Sequence, residues 1–127
     1  FIGSPAMNLQ TVTLTEEGAR LGGTVIPLPT AVRTAASQAD LRELVLGIRP
    51  EHLHLADATG EIKGEVMLVE ELGADALLHV RLAESGNQVV ARAEGRKPPA
   101  PGQEVTFRVL PDDVFAFHPV TGARLAG

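Results

Sequence analysis

The chain has 127 residues, which suits a single domain, and its 44% hydrophobic content is sufficient for a core of Val, Leu, Ile and Ala, because aromatic residues make up only 3%. It contains no cysteine, which excludes disulfides, cysteine-ligated zinc and thiol catalysis. The net charge of −5 disfavours nucleic acid or an anionic membrane surface as the main partner.

The N-terminal sequence FIGSPAMN lacks an initiator Met and a basic segment followed by an apolar one, so we expect no signal peptide. We expect the chain to be part of a longer polypeptide. No apolar run approaches the roughly 20 residues of a transmembrane helix, so we expect no direct membrane insertion.

The first third of the chain predicts a hairpin followed by a small polar segment. Residues 7–13 and 19–28 are two extended runs around a Glu-Glu-Gly turn, which indicates an N-terminal hairpin. Residues 29–43 are small and polar and fit a short helix or a variable loop equally well. Ser37 or Asp40 could cap such a helix.

From residue 44 the chain reads as short strands separated by turns. Residues 44–48, 53–55, 61–72, 76–82, 88–93, 105–109 and 114–117 are strand candidates. In the run 61–72, strict alternation places one set of side chains on the core face: Ile62, Gly64, Val66, Leu68 and Leu72. Turns every eight to twelve residues without βαβ spacing predict an all-β barrel or sandwich.

Two segments of the chain are similar to each other. LGIRPEHLHL and FRVLPDDVFAF align Pro50 with Pro111 and Glu51 with Asp112, and each reads as a strand, a Pro-acid turn and a second strand. Because small barrels need several corners, we interpret both as corners rather than as a catalytic site. Pro50→Gly is then expected to lower stability by about 0.5–1 kcal/mol through the unfolded state.

The histidines and acidic residues do not form a convincing reactive site. His52 and His54 could share a strand face, with Glu51 or Asp57 nearby, but two imidazoles need a third ligand to hold a metal. We favour a turn position for His52 and a solvated one for His54. Arg49, between an apolar strand and a turn, is expected to form a structural salt bridge, with an interface contact as the second interpretation.

Nucleotide-binding and nucleophile motifs are absent from the sequence. No Gly-Lys dipeptide occurs, so there is no G-x-x-x-x-G-K-[ST] phosphate loop, and there is no G-x-S-x-G elbow. Adjacent acidic pairs such as Glu70-Glu71 would point to opposite faces of a strand. We therefore expect this chain by itself to lack catalytic, cofactor-binding and metal-binding residues and not to hydrolyse ATP.

Four segments together resemble a known family. FIGSPAMN at residues 1–8, LGIRPEHL at 46–53, GEVMLVEELGAD at 64–75 and FHPVTGARL at 117–125 look like the C-terminal regulatory region of ABC importer ATPases of the maltose and glycerol-3-phosphate type, the MalK/UgpC-like subunits. The similarity covers nearly the whole chain and is poorest at residues 30–43.

The resemblance implies an OB-like β-barrel, often called a TOBE domain, at residues 9–127, with residues 1–8 leading in from a nucleotide-binding domain. It implies ATP and Mg²⁺ in that domain, a homodimer held together by two copies of the barrel, in some members a regulatory protein as a further partner, and a cytoplasmic position at the inner face of the membrane. As structural or interface candidates we name seven residues: Arg49, Pro50, Glu51, Glu70, Gly73, Pro111 and Asp112.

Two alternatives remain beside the regulatory and dimerisation domain. Related barrels in oxyanion importers bind molybdate-like anions, so the chain could be an autonomous module for an oxyanion or a sugar, with hydroxyls such as those of Ser85 or Thr121 as donors. An OB-type nucleic-acid binder is the third reading, which the acidic charge and the absence of Tyr and Trp oppose.

Overall fold

The computed structural model describes residues 6–56, 61–94 and 98–126. In this part of the chain one α-helix accompanies ten strands: β1 Asn8–Thr13, β2 Gly18–Leu21, β3 Thr24–Pro27, α1 Thr30–Gln38, β4 Glu43–Ile48, β5 His54–Ala56, β6 Ile62–Glu71, β7 Asp75–Leu82, β8 Gln88–Glu94, β9 Glu104–Arg108 and β10 Val114–Phe117. All named strand pairs are antiparallel. The predicted all-β class is therefore confirmed.

The strands form a three-stranded sheet in the order β1-β4-β10, a hairpin of β2 and β3, and a five-stranded sheet in the order β5-β9-β6-β7-β8. The buried side chains of these sheets form one apolar cluster, in which Phe107 is the largest fully buried residue. The remaining members are almost entirely Leu, Ile, Val and Ala, as the composition indicates. None of the helices in the described part has the length and hydropathy needed to cross a bilayer.

The N-terminal hairpin differs from the predicted one in its strands. β1 pairs over its whole length with β4, from Asn8 opposite Ile48 to Thr13 opposite Glu43, and meets β2 only through one bridge between Leu14 and Ala19. The hairpin consists of β2 and β3, which both lie in the second extended run. The longer pairing with β4 brings Val12 opposite Leu44, and both are buried, so tertiary burial decides the partner of β1.

The tip of the β2–β3 hairpin packs against β6 through a glycine. Gly22 has a φ of 58°, and a Cβ there would lie 2.7 Å from Cγ2 of Ile62. The backbone N–H of Lys63 donates to the Gly22 carbonyl at 2.9 Å. A side chain at position 22 would therefore strain the turn and separate the hairpin from the sheet.

The segment 29–43 contains the helix α1, which buries Val32 and Ala36 one turn apart. Neither predicted cap residue caps its start: Pro29 occupies the N-cap position without a side-chain bond. Asp40 instead follows the helix with a φ of 55°, and the N–H of Leu41 donates to the Ala36 carbonyl at 3.0 Å. This is the usual geometry of a helix end in which an Asp takes the left-handed position.

The two predicted corners are both single 3₁₀ turns. The first corner is Pro50–His52 and the second is Pro111–Asp113, each with Pro in its first turn. Because Ile48 pairs with Val114, both corners lie at the same end of the β4–β10 pair. They differ in one respect: Pro50 is buried, whereas Pro111 is exposed.

The alternation predicted for residues 61–72 is wrong from Met67 onward. A β-bulge between Val66 and Leu68 shifts the register against β7. After the bulge Val69 packs against the core, whereas Leu68 and Leu72 are 53% and 50% exposed. One extra residue in a strand exchanges its two faces, and this cannot be read from an otherwise regular pattern.

The side chain of Asn8 connects the two larger sheets. Its Oδ1 accepts from the N–H of Val90 in β8 at 2.8 Å, and its Nδ2 donates to the Val90 carbonyl at 2.8 Å and to the Ile48 carbonyl at 3.0 Å. The carboxamide thus replaces a backbone peptide group in a strand ladder. We call this three-bond contact the Asn8 clamp.

Asn8→Ala is expected to lower the free energy of unfolding by about 2–3 kcal/mol, because three hydrogen bonds of part-buried groups are lost. Denaturant titration measures this change. Gln10→Ala is the control, since Gln10 makes one exposed bond to the Gln88 carbonyl at 3.2 Å and should cost less than about 0.5 kcal/mol. If the two substitutions lowered the free energy of unfolding equally, the Asn8 clamp would contribute no more than a single exposed hydrogen bond.

Pro50→Gly and Pro111→Gly form a matched pair. The exposed Pro111 should lose only the unfolded-state term, about 0.5–1 kcal/mol. The buried Pro50 should lose a further 1–2 kcal/mol, approximately, because its ring leaves the core, so the value expected from the sequence alone is too small. Equal midpoint shifts in parallel thermal denaturations of the two variants would contradict this assignment.

Candidate functional site

The structure brings five of the seven named candidates together at one end of the β4–β10 pair. Arg49, Pro50 and Glu51 lie at the first corner, and Pro111 and Asp112 lie at the second. Glu70 and Gly73 belong to the β6–β7 hairpin of the other large sheet. No catalytic arrangement follows from these positions, and the candidates fall on two separate surfaces.

Arg49 stacks on an aromatic ring. Its guanidinium carbon lies 5.8 Å from the ring centroid of Phe115, and that of Arg124 lies 4.7 Å from the same centroid. Among the described residues neither guanidinium has an ion-pair partner, so the salt bridge expected for Arg49 is not present in this part of the structure. Each contact is a cation–π interaction, worth about 0.5–1 kcal/mol at an exposed position.

The histidine pair at the first corner is divided between two environments. His52 lies in the 3₁₀ turn with a buried Nδ1 atom that has no hydrogen-bond partner, whereas His54 is exposed in β5. Asp57, considered as a third ligand, lies outside the described residues. Within residues 6–56, 61–94 and 98–126 no three His or acidic residues lie close enough to hold a metal ion.

The β6–β7 hairpin carries a hydrogen-bonded Glu–His pair and an apolar patch on its outer face. Glu70 Oε1 lies 2.5 Å from His79 Nε2, and Gly73 makes the turn with a φ of 89°. Leu68 and Leu72 are the exposed apolar residues of this face. We call the face of Leu68, Glu70, Leu72 and His79 the hairpin patch.

A groove of about 820 Å³ crosses the polar face of the five-stranded sheet. It is lined by charged residues, among them Lys63, Glu65 and Arg81, and by apolar residues such as Leu55 and Pro99. Glu65 lies opposite Arg81 on one side and opposite Glu104 on the other. The groove therefore offers both donors and acceptors to a small polar ligand.

Sequence reasoning missed three of these features: the Asn8 clamp, the Arg124–Phe115 contact and the groove. The Asn8 clamp and the groove join residues far apart in the chain: Asn8 bonds to Val90, 82 positions away. Arg124 reaches Phe115 because the C-terminal segment folds back on β10 through a bridge to Phe117. No local pattern could have identified them.

The chain matches two known domain families. The TOBE domain family matches residues 46–117, and the MalK OB fold domain family matches residues 3–53. The two matches overlap at the first corner and together span nearly the whole chain. The predicted OB-like/TOBE barrel is thereby confirmed.

Curated relatives match almost the whole chain as well. The sn-glycerol-3-phosphate import ATP-binding protein UgpC of Ruegeria sp. (strain TM1040) is 36% identical over 99% of this chain, and its namesake in Escherichia coli (strain K12) is 36% identical over 98%. The diacetylchitobiose uptake system ATP-binding protein MsiK of Streptomyces coelicolor is 33% identical over 98%.

The chain covers only 34% to 38% of the length of these three relatives, so it corresponds to about one third of each. Their names describe ATP-binding proteins of import or uptake systems for different substrates. The chain belongs to the TOBE domain family, in the form found in the ATP-binding subunits of sugar and glycerol-phosphate ABC importers.

Proposed function

We propose that this chain is the non-catalytic regulatory and dimerisation domain of the ATP-binding subunit of an ABC importer for sugars or for sugar or glycerol phosphates. The observation that carries the proposal is the match of almost the entire chain to one third of such subunits. The rest of the parent subunit would bind ATP and Mg²⁺ and would lie at the cytoplasmic face of the membrane, against the transport channel.

In this role the barrel holds two ATP-binding subunits together without touching nucleotide. A lasting contact between two barrels raises the effective concentration of the attached ATP-binding regions, so these regions can separate and close again without losing one another. A regulatory protein that binds the barrel could then bias opening or closure. Neither activity requires a reactive side chain in the domain.

The hairpin patch supports the proposed dimer. It presents two leucines, each about half exposed, beside an acidic and a potentially basic side chain, Glu70 and His79. In a two-fold interface the same patch faces itself, so leucines meet leucines and each carboxylate can approach the partner's histidine. A central apolar area with a polar rim is the usual composition of protein interfaces.

The groove favours the second candidate function, an autonomous binding module for an oxyanion or a sugar. Lys63 and Arg81 are donors suited to an anion, and Glu65 and Gln103 are acceptors suited to hydroxyl groups. The groove is broad and open, and it lacks an exposed aromatic ring on which a sugar could stack. It therefore ranks below the domain assignment, which rests on the whole length of the chain.

The coding sequence upstream of Phe1 is expected to contain, in frame, a phosphate loop, an ABC signature and a Walker B strand. Sequencing of the source gene provides the measurement. A start codon immediately before Phe1 would favour the binding module. In that case a sugar or an oxyanion in a thermal-shift screen should raise the melting temperature of the chain, and Lys63→Ala with Arg81→Ala should abolish that rise.

The isolated chain of 13.4 kDa is expected to dimerise through the hairpin patch. Leu68→Asp with Leu72→Asp should raise the dimer dissociation constant at least about tenfold, because each carboxylate would be desolvated in the interface. Sedimentation equilibrium over a concentration series measures the constant.

The control for the dimer is Leu110→Asp. Leu110 is 54% exposed, which matches the 53% of Leu68, but it precedes the second corner instead of lying on the hairpin. It should leave the dissociation constant unchanged. Dimerisation through this patch would be contradicted by a wild-type chain that stays monomeric at all concentrations. It would also be contradicted if Leu110→Asp raised the dissociation constant as much as the two hairpin substitutions do.

A further inference from the structure

The outer face of the β1-β4-β10 sheet is apolar and partly uncovered. Directly paired residues of antiparallel strands share a face, and Leu9 pairs with Gly47, which pairs with Phe115. Phe117 lies two residues further along β10 and therefore on the same side. Leu9 is 57% exposed and lies in a strand whose other residues are largely polar.

Gly47 provides the space in which this apolar surface packs. A Cβ at position 47 would lie 2.9 Å from both Sδ and Cε of Met7 and 3.0 Å from Cε2 of Phe117. Met7 and Phe117 therefore meet over the glycine backbone. Because Met7 immediately precedes β1, the surface lies beside the point at which the chain enters the sheet.

The composition of this face is unusual for the protein. Of the four phenylalanines in the sequence, Phe1 lies outside the described residues, Phe107 is in the core, and the other two lie on this face together with one of the two methionines. Phe, Met and Arg are the residues enriched at the centres of protein interfaces. We call the set of Met7, Leu9, Phe115 and Phe117 with Arg49 and Arg124 the aromatic–arginine face.

The charges on this face indicate the kind of surface that fits it. Arg49 and Arg124 both approach Phe115, and neither has a carboxylate partner in the described part of the chain. A planar guanidinium on an aromatic ring is well placed to bind a carboxylate with two hydrogen bonds. The face thus favours an acidic counterpart, even though the chain as a whole carries a net charge of −5.

The same face of a second copy does not supply that counterpart. In a two-fold dimer the same face would meet itself, which would bring four guanidinium groups together. Such an arrangement is repulsive. The partner is therefore a different surface, with apolar residues at its centre and carboxylates at its rim.

We propose that the aromatic–arginine face docks onto an acidic surface of the ATP-binding region of the parent subunit. This inference rests on the proposed function, which supplies that region, and on the finding that the relatives are about three times as long as the chain. Tethering near Met7 gives the contact a high effective concentration, so a small interface is sufficient. Docking positions the barrel relative to the site of ATP binding.

The experiment uses the absence of cysteine from the chain. Leu9→Cys is introduced into this chain and into the full-length parent subunit, and maleimide labelling of that single peptide is followed by mass spectrometry. We expect labelling at least tenfold slower in the parent than in the chain. Ser37→Cys, at an exposed position on α1, is the control and should react at the same rate in both.

The role of the guanidinium groups is tested by Arg49→Glu with Arg124→Glu in the Leu9→Cys parent. This variant should recover at least half of the labelling rate of the chain, whereas Arg49→Lys with Arg124→Lys should recover less. Arg33→Glu, a single charge reversal outside this face, is the control, since the Arg33 guanidinium donates to the Glu16 carbonyl. An unchanged thermal midpoint shows that each variant is folded.

The outcomes separate this inference from the proposed function. A parent gene without an ATP-binding region would overturn the proposed function before any labelling. A parent that has the region but labels Leu9→Cys as fast as the chain does would overturn the docking alone. Slow labelling that depends on protein concentration, or that persists in the double Glu variant, would also overturn the docking. Either result would show that a different contact protects position 9 from the maleimide.

Discussion

Most of the hydrogen bonds between β1 and β8 come from one carboxamide, that of Asn8. The three-stranded and five-stranded sheets have no backbone ladder between β1 and β8, and the Asn8 clamp provides the corresponding hydrogen bonds from a side chain. A backbone peptide and an Asn side chain carry the same donor and acceptor, so a single residue can imitate one rung of a sheet. An Asp at this position would lack the donor, and a Gln would carry the same groups one methylene further from the backbone.

The clamp also fixes which way β1 faces. With Asn8 directed at Val90, Met7 and Leu9 are forced to the opposite side of the strand, since consecutive side chains alternate. A slip of β1 by one residue along β4 would break the clamp and would turn both apolar residues inward. The pairing register of β1 with β4 thus determines both the Asn8 clamp on the inner side of β1 and the aromatic–arginine face on its outer side. This relation links the stability of the barrel to its proposed docking onto the ATP-binding region of the parent subunit.

The features that the sequence could predict are the local ones. Alternating residues identified most strands, and the Pro-acid pairs identified both corners. Pairing partners were harder, because the choice of β4 over β2 by β1 depends on the burial of Val12 against Leu44, which are distant in sequence. The stacking of Arg49 on Phe115 was missed for the same reason. An arginine can form either a salt bridge or a cation–π contact, and only the folded structure shows that the ring of Phe115 lies beside Arg49.

The bulge at Met67 has a consequence for how this surface can change in evolution. Loss of the Met67 codon would make Val66–Val80 and Leu68–His79 consecutive pairs of a regular ladder, so Leu68 would stay on the outer face and Val69 on the core face. The strand would lose one residue and its local bend, while the hairpin patch would keep all of its members. Related domains could therefore differ in length by one residue at this position and still present the same association surface.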